Sequence, residues 1–460
     1  MKFNIPWIIS RRRFFIAILF DILIIYFFHI TIFFKRFNAY PNPIVTISIS
    51  FFWIISSYIL GRYMICKKFN IVEILKAFLN SSIVFFSCNI VYLSINISNK
   101  ILIFINGEDL INSQKGQNIF FIKATIFIAF VSCITQYLLS LMTNKIYSNK
   151  TPWIFYGSEI SFTNFKEEIG SSLRNYTFQR IDNDFNIINI ESESLEGVII
   201  DNNKEFNKDN LEKIFILKSK GIKVINILKW FEIQHQRIPP FYIENKYQII
   251  DKFNLLDESY KIRIKRIGDF IVSLFLIIIT SPLFLLISLL IKIEDNGPIF
   301  YSQVRTGFNG ERIVIFKFRS MIKNAEKYGP QWASKEDKRI TRVGKFIRSL
   351  RLDELPQLFS VIEGKMSLIG PRPERPEIEE SLLNEIPYYK YRTILKPGIS
   401  GWAQVNYPYG ASKEDTVNKL SYDIYYINHI SFFLDLLILI KTIKTIFNAK
   451  SHNPNKNYRR

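Results

Sequence analysis

The stretch that decides the fold is FIVSLFLIIITSPLFLLISLLI, an apolar run over Phe270–Ile291 with Ser281-Pro282 at its middle. Proline inside a helix lacks a backbone N–H and clashes with the preceding turn, so the run should kink or break there. Lysine and arginine residues flank both ends of the run. Two interpretations stay open: a fifth, kinked spanning helix, and a helix that enters a membrane, bends and returns to the same face. The basic flanks on both sides favour the second, re-entrant form.

Four more apolar segments precede this run, and each is near the about 20 residues that a transmembrane helix needs. They are Phe14–Phe34, Pro43–Leu60, Ala77–Ile97 and Ala124–Met142. We therefore predict a four-helix transmembrane bundle over residues 1–148. The excess of basic residues in the N-terminus, the second loop and the stretch after the fourth segment places both ends of the bundle in the cytoplasm. Asp21 lies inside the first segment, where an ionisable residue is a candidate functional group. We favour the alternative that Asp21 makes a polar contact within the bundle.

Composition excludes several classes of protein. The chain has 460 residues, a net charge of +20 and 42 phenylalanines, which excludes a disordered chain. Three cysteines in or beside apolar runs exclude a disulfide-stapled secreted scaffold. The basic excess indicates a polyanionic partner, either nucleic acid, a phosphorylated substrate or anionic lipid.

Residues 149–255 change character, because short apolar runs alternate with helix-like stretches. This pattern predicts a small parallel α/β layer, a degenerate Rossmann-like module. A dinucleotide site would require G-x-G-x-x-G after the first strand, whereas the chain has Gly157-Ser158-Glu159 there, with an acid where a pyrophosphate would lie. We interpret the module as either a packing unit or a dimerisation unit, and the second interpretation predicts a homodimer.

Residues 297–460 contain groups suited to chemistry. A hairpin is predicted around Gly307–Gly310, and leucines every third residue around Asp353-Glu354 predict a helix that begins near Asp353, since Pro356 is tolerated only in a first turn. Carboxylates and arginines at a helix N-terminus would attract phosphate, although such a pair is usually a solvated cap. Two proline- and glycine-rich loops, 370–376 and 396–406, suit a substrate rim or are ordinary turns. Phe432–Ile440 is either a helix on the membrane surface or a buried core helix.

Taken together, these stretches make the chain resemble the bacterial sugar transferase family, in the long form of the monotopic phosphoglycosyl transferases, also called polyprenyl glycosylphosphotransferases. The matching motifs occur in family order over about 195 residues. They are Lys265-Arg266-Ile-Gly-Asp269, Ser281-Pro282, Gly297-Pro298-Ile-Phe-Tyr-Ser-Gln303-Val-Arg305-Thr-Gly307, Lys317-Phe-Arg319-Ser-Met321, Leu352-Asp353-Glu354-Leu-Pro-Gln-Leu, Met366-Ser-Leu-Ile-Gly-Pro-Arg372-Pro and Pro397-Gly-Ile-Ser-Gly-Trp-Ala-Gln-Val-Asn406.

The resemblance implies an α/β catalytic domain over residues 256–460, anchored by a re-entrant helix at about 266–292. It implies transfer of a phosphosugar from a UDP-sugar to polyprenyl phosphate, with release of UMP, as the first membrane step of exopolysaccharide, capsule or O-antigen-type glycan synthesis. Asp353 would be the nucleophile and Glu354 the ligand of Mg²⁺. The groups that contact phosphate or substrate would be Lys317, Arg319, Arg348, Arg372, Arg375, Trp402 and Gln404. The groups at the lipid interface would be Lys265, Arg266, Asp269, Ser281 and Pro282.

The resemblance also implies a place in the cell and a partner set. The protein would be a multi-pass protein of the bacterial inner (plasma) membrane with its catalytic domain on the cytoplasmic face, and the positive charge would serve lipid and phosphate, not nucleic acid. Many family members continue from Gln-Val-Asn with Gly-Arg-Asn, whereas this chain has Asn406-Tyr407-Pro408, so a sugar preference does not transfer. The alternatives are a catalytically inactive membrane-anchored regulatory or scaffolding relative and, with less support, a small transporter.

Overall fold

In the computed structural model, the chain divides into two compact units, Met1–Lys150 and Thr151–Arg460. The structure describes residues 12–37, 43–63, 74–87, 125–138, 141, 152–170, 176–181, 195–201, 208–243, 259–323, 325, 337, 339–407, 410 and 412–447. The domain boundaries at about 148 and 255 that the sequence indicates stay predictions.

The first unit is helical, and each of the four predicted apolar segments contains a helix. The helices are Arg12–Phe37 and Pro43–Ile59, with apolar helices at Ile74–Ser87 and Thr125–Leu138. Their core includes Ile25, Trp53, Val84 and Ala129. Among the described residues, however, only Tyr260–Asp295 is both long and apolar enough to cross a membrane, so the four-span bundle stays a prediction.

Asp21 lies inside this helical core and is almost fully buried. Its carboxylate accepts hydrogen bonds from Trp53 Nε1 at 3.1 Å, Tyr63 Oη at 2.8 Å and Ser132 Oγ at 2.6 Å. These donors come from separate parts of the chain, so Asp21 joins the helices through buried hydrogen bonds. The predicted polar contact within the bundle is confirmed.

The second unit begins with the predicted α/β layer. Its four strands are all parallel, in the order β2-β1-β3-β4, and they are β1 (Pro152–Tyr156), β2 (Thr177–Ile181), β3 (Gly197–Ile200) and β4 (Lys223–Asn226). Helices Glu159–Ile169, Lys208–Ser219 and Ile227–Gln234 pack on the sheet. The predicted small parallel α/β layer is confirmed.

Alternation along β1 sends different side chains to the two faces of this sheet. Trp153 and Phe155 enter an aromatic core with Phe165 and Trp230, whereas Ile154 enters an aliphatic core on the other face. Both faces of a parallel sheet are therefore covered, as parallel sheets require.

The decisive apolar run lies in one long helix, Ser259–Asp295, which we call the anchor helix. Pro282 lies inside this single helix, so the helix is not broken in two. Arg266, before the apolar run, donates to the carbonyls of Val361 and Ile362, while the ring of Phe284 lies 5.9 Å from that of Phe359.

These contacts bring both arms of the anchor helix to the same short helix, Gln357–Ile362. In a straight helix, residues 266 and 284 would lie roughly 27 Å apart along the axis. Their contact points on the short helix are only two residues apart, which indicates a bend between the arms, where Pro282 removes a backbone donor. The predicted kink is thereby supported by packing, while the direction in which the helix enters a membrane stays a prediction.

The remaining elements form the C-terminal domain. The predicted hairpin is confirmed as antiparallel strands β5 (Phe300–Thr306) and β6 (Arg312–Phe318), joined by a 3₁₀ turn at Phe308–Gly310. Further along the chain, β7 (Ser367–Ile369) and β8 (Gly398–Ser400) form a parallel pair. The helices are Arg342–Ser349, Gln357–Ile362, Pro376–Glu385, Trp402–Asn406, Lys413–Asn428 and Phe432–Phe447.

The last helix, Phe432–Phe447, was expected either on a membrane surface or in the core. One side of it packs inward through Leu434, Leu437 and Ile438, which are buried, while Phe432 and Phe433 stay exposed. The helix is therefore amphipathic, with an apolar end that is free to meet a membrane surface.

Candidate functional site

The Asp353-Glu354 pair lies in a single 3₁₀ turn, Leu352–Glu354, between two α-helices. Sequence reasoning placed the start of a helix at Asp353, but the α-helix begins at Gln357, after Pro356. Proline at the N-cap explains the delay, because it is accommodated at a helix start but not inside. That helix has only six residues, so cationic side chains, more than a helix dipole, must supply the positive field of the site.

Three cations surround the buried carboxylate of Glu354. Its Oε1 accepts from Lys317 Nζ at 3.0 Å and from Arg372 Nη2 at 2.9 Å, and Arg351 Nη1 lies 3.7 Å from Oε2. Lys317 comes from strand β6 and Arg372 from the loop after β7, so Glu354 joins two otherwise separate elements. Charge-assisted hydrogen bonds of this kind are strong when desolvated.

The electrostatics of this cluster follow from the competition between burial and ion pairing. Burial opposes ionisation of Glu354, but Arg372, Lys317 and Arg351 outweigh it and hold the pKa of Glu354 well below its ordinary value. Burial lowers the pKa of Lys317, an effect that Glu354 opposes. Glu354 is therefore the ionised centre of a cationic cluster.

Asp353 has a different environment from its neighbour. It is half-buried, and within the described residues its carboxylate has no hydrogen-bond or ion-pair partner. Burial and the adjacent Glu354 charge raise the pKa of Asp353, whereas Lys317, Arg348 and Arg372 act to lower it. A carboxylate that none of the described groups engages, in a positive field, is suited to attack an anionic electrophile.

Arg348 lies at the end of helix Arg342–Ser349, one turn before the pair. It is half-buried, and it too makes no hydrogen bond or ion pair with any residue that the structure describes. Its charge nevertheless acts on Asp353. Arg348 is thus available to an anionic ligand, and its contact with phosphate stays a prediction.

Two further arginines fix the loop that carries Arg372. Arg392 Nη2 donates to the Arg372 carbonyl at 2.9 Å, while its Nε donates to buried Asp423 at 2.8 Å. Arg305 Nη1 donates to the Pro373 carbonyl at 3.2 Å. Hydrogen bonds to the backbone hold the loop in place and thereby position the Arg372 side chain.

Arg319 and Arg375, also predicted to contact phosphate, lie in other surroundings. Arg319 is buried, pairs with Asp295 at the end of the anchor helix and packs against Gly297. Arg375 is the N-cap residue of helix Pro376–Glu385. Their described contacts do not include Glu354, so any part they take in phosphate binding stays a prediction.

Trp402 and Gln404 were expected to line a substrate rim. Trp402 is fully buried, donates from Nε1 to the Gln236 carbonyl at 3.0 Å and stacks on Tyr425. These contacts connect the α/β module to the C-terminal domain, which is a packing role. Both side-chain amide atoms of Gln404 are buried with no hydrogen-bond partner among the described residues. Gln404 therefore keeps hydrogen-bonding capacity for a ligand.

The residues predicted at the lipid interface fasten the anchor helix to the domain. Lys265 Nζ donates to Asp435 at 2.7 Å, and Asp269 accepts from Ser367 Oγ at 2.7 Å. Arg266 is bound to the short helix, as above. Ser281 and Pro282 are exposed at the bend. Lys265 and Asp269 thus bind partners within the protein.

A metal ion at this site would depend on few protein ligands. Among the described residues, no three His, Cys, Asp or Glu side chains converge to hold one. Mg²⁺ is usually held by one or two carboxylates together with substrate phosphates and water. The Asp353 carboxylate, unengaged among the described residues, and Oε2 of Glu354 fit that donor set, since both described hydrogen bonds to Glu354 fall on Oε1.

Sequence reasoning missed Arg351. This residue has a left-handed backbone, with φ of 56°, and it reaches Glu354 from the residue just before the 3₁₀ turn. A non-glycine residue in this region is uncommon and clusters at functional sites. No sequence signal reveals it, because arginine, unlike glycine, has no preference for a left-handed backbone.

Comparison with known proteins gives this geometry a context. The family model described as "Bacterial sugar transferase" matches residues 260–449. The chain is 50% identical over 183 residues to an Aeromonas hydrophila UDP-N-acetylgalactosamine-undecaprenyl-phosphate N-acetylgalactosaminephosphotransferase, covering 40% of this chain and 43% of that protein. It is 42% identical over 193 residues to a Klebsiella pneumoniae UDP-glucose:undecaprenyl-phosphate glucose-1-phosphate transferase, covering 41% of each.

A shorter relative is covered over most of its length. It is an uncharacterized sugar transferase of Bacillus subtilis, 35% identical over 187 residues, which cover 40% of this chain and 87% of the relative. In contrast, the match spans only about two fifths of the length of the Aeromonas and Klebsiella proteins. The range that the family model matches contains Asp353 and Glu354.

Proposed function

The chain belongs to the bacterial sugar transferase family, and from this premise we propose that it transfers a sugar-1-phosphate from a UDP-sugar to polyprenyl phosphate, with undecaprenyl phosphate as acceptor. The two relatives named in full act on undecaprenyl phosphate, which supports the acceptor. The single observation that carries the proposal is the contrast within the pair: Glu354 is bound by cations, whereas Asp353 is unengaged among the described residues.

We propose two steps, with Asp353 as a catalytic residue. In the first, an Asp353 oxygen attacks the phosphorus next to the sugar, the bond from that phosphorus to the bridging oxygen breaks, and UMP leaves with the electron pair. In the second, a phosphate oxygen of the polyprenyl phosphate attacks the same phosphorus, which frees Asp353 and forms a polyprenyl diphosphosugar. A covalent intermediate lets a soluble donor and a membrane-bound acceptor react in turn.

The surrounding cations would supply the stabilisation that this attack requires. A carboxylate approaching a diphosphate meets like-charge repulsion, so positive groups must face the charge that develops. Lys317, Arg348 and Arg372 already act on Asp353 electrostatically. Asp353 and Glu354 would hold Mg²⁺, which would supply further neutralisation of phosphate charge when bound. Chelation by EDTA should then abolish UMP release, and added Mg²⁺ should restore it.

The membrane placement is part of the same proposal. We propose that the anchor helix re-enters the inner membrane from the cytoplasm, that the N-terminal helices span it, and that the catalytic domain stays on the cytoplasmic face. The bend at Pro282 and the exposed apolar middle of the anchor helix support this arrangement. UDP-sugars are cytoplasmic donors, so this side is where substrate is available. Homodimer formation through the α/β module stays part of the proposal.

The experiment that tests the function is donor cleavage without acceptor. Detergent-purified protein mixed with a panel of UDP-sugars should release about one UMP per protein and become a phosphosugar adduct, and addition of polyprenyl phosphate should make turnover continuous. UDP-N-acetylgalactosamine and UDP-glucose come first in the panel, because the relatives are named for them. Absence of UMP with every donor would favour the inactive regulatory or scaffolding alternative.

A further inference from the structure

Two cations converge over Gly364, away from the Asp353-Glu354 pair. A side-chain carbon placed on Gly364 would lie 3.1 Å from Arg266 Nη2 and 3.6 Å from Lys396 Nζ. Gly364 has a φ of 84°, a left-handed backbone that favours glycine. Because Gly364 has no side chain, a space remains between the Arg266 guanidinium and the Lys396 ammonium group, and this space is the point discussed below.

The charges around this point leave it positive. Lys265 pairs with Asp435, and Asp269 is bound by Ser367, so both nearby carboxylates already have partners. The adjacent Glu363 is paired with Lys365 at 2.7 Å.

Lys396 is the free cation of the cluster. It is half-buried and, in the part of the chain that the structure describes, has no hydrogen-bond or ion-pair partner. Burial and the Arg266 charge lower its pKa, an effect that Asp269 opposes. Two like charges held together in this way are stabilised by a shared anion.

The position of the point indicates what kind of anion would reach it. Arg266 precedes the apolar run at Phe270 by about one helical turn. Ile267 and Phe359, on the two helices that border the point, are exposed apolar residues. A phosphate that arrives here would come on a lipid, because the surrounding surface is suited to a bilayer.

We propose that Gly364, Arg266 and Lys396 form a binding site for the phosphate group of a lipid, which we call the Gly364 cradle. This inference depends on the proposed function in one respect: the polyprenyl phosphate acceptor is one of the two lipids considered for the site. The phosphate chemistry is shared by the polyprenyl phosphate acceptor and by an anionic phospholipid headgroup. Lys396 supplies the free cation, and Arg266 supplies a second one while it stays bound to the short helix.

The test compares Lys396→Gln with the intact full-length protein in nanodiscs of zwitterionic lipid. Undecaprenyl phosphate and phosphatidylglycerol are titrated separately, and bound lipid is counted by native mass spectrometry. We expect Lys396→Gln to weaken binding of at least one of these lipids by about tenfold, as loss of a charge-assisted hydrogen bond does. Lys396→Arg, which keeps the charge, should restore binding. Lys390→Gln, an exposed lysine on the preceding turn, is the matched control and should bind as the wild type does.

The outcomes assign the site. Loss confined to undecaprenyl phosphate places the acceptor in the cradle, and a matching rise in its KM should follow. If Lys396→Gln weakens the binding of phosphatidylglycerol alone, or of both lipids, the cradle holds a phospholipid headgroup. Equal binding of both lipids by Lys396→Gln and the wild type would overturn the proposal. If the wild type cleaves no UDP-sugar yet the binding difference persists, the proposed function fails and the cradle stands.

Discussion

Lys317 Nζ lies 3.0 Å from Glu354 Oε1, and the same oxygen accepts from Arg372 at 2.9 Å. Through this shared oxygen, strand β6 and the loop after β7 are fixed against the turn that carries Asp353. This contact gives Glu354 a structural and electrostatic role. The neighbouring Asp353 carboxylate has no partner among the described residues and is available to react.

Replacing Glu354 by glutamine should damage both activity and stability. Removal of one partner from a buried ion pair leaves uncompensated charge and costs about 3–5 kcal/mol, and donor cleavage should fall by about 10²- to 10³-fold because Lys317 and Arg372 lose their position. Thermal unfolding and UMP release measure the two effects. Glu363→Gln, which removes an exposed pair with Lys365, is the control and should change neither by much. Wild-type stability in Glu354→Gln would contradict the role assigned to the cluster.

Asp353→Asn should abolish turnover without unfolding the protein. Loss of a nucleophile should lower turnover by at least about 10⁴-fold. The pKa of Asp353 is raised in the folded protein, so the folded state binds this proton more tightly than the unfolded state does. The contribution of Asp353 to stability therefore falls as the pH rises through its pKa in the folded protein. The melting temperature of Asp353→Asn at pH 7.5 should therefore equal or exceed that of the wild type. A marked fall would mean that Asp353 has a structural partner.

The pH dependence of donor cleavage should report Asp353. The nucleophile must be ionised, so the rate should fall on the acidic side, and the raised pKa places this fall above the ordinary range of an aspartate. Arg348 lowers the pKa of Asp353, so Arg348→Gln should move the acidic limb to higher pH. Lys345→Gln, an exposed change on the same helix, should leave the limb in place. A limb that moved to lower pH in Arg348→Gln would contradict the assignment.

The anchor helix should keep both ends on one side of the membrane. Its two arms contact the same short helix, which a straight spanning helix would prevent. A reporter fused after Ile293 should therefore be cytoplasmic. Pro282→Ala restores a backbone donor at the bend and should weaken these contacts, which proteolysis of the domain in membranes would measure. A periplasmic reporter in the wild type would exclude the re-entrant form.

Asp21 should matter for stability alone. Asp21→Ala leaves Trp53, Tyr63 and Ser132 without their acceptor, and loss of buried hydrogen bonds should cost about 2–4 kcal/mol. Thermal unfolding in detergent measures the loss, with Ser82→Ala, at an exposed serine, as the control. UMP release at a temperature where both variants are folded should be unchanged. Loss of that activity would restore a functional interpretation of Asp21.

Much of this architecture could be predicted from local sequence patterns. The four parallel strands and the hairpin follow from apolar alternation and turn residues, and Pro282 marks the bend because it cannot donate a hydrogen bond. The motifs also indicated Asp353 and Glu354. These features are encoded over short distances along the chain.

The rest depends on contacts that sequence spacing does not encode. The burial of Trp402 against Gln236 and the partners of Lys265 and Asp269 join residues far apart in the chain. The left-handed backbone of Arg351 has no sequence signal either. The helix start predicted at Asp353 was wrong by about one turn, because a 3₁₀ turn precedes Pro356. Motif position indicated which residues matter, but only packing separates those that are free from those already bound.

The most direct test of the central claim is intact-protein mass spectrometry of the full-length chain after incubation with a cleaved UDP-sugar and no lipid acceptor. The wild type should gain the mass of one phosphosugar, the label should map to the peptide that contains Asp353, and polyprenyl phosphate should remove it. Asp353→Asn should gain nothing. An unmodified wild type that still forms lipid product, together with an active Asp353→Asn, would contradict the covalent account.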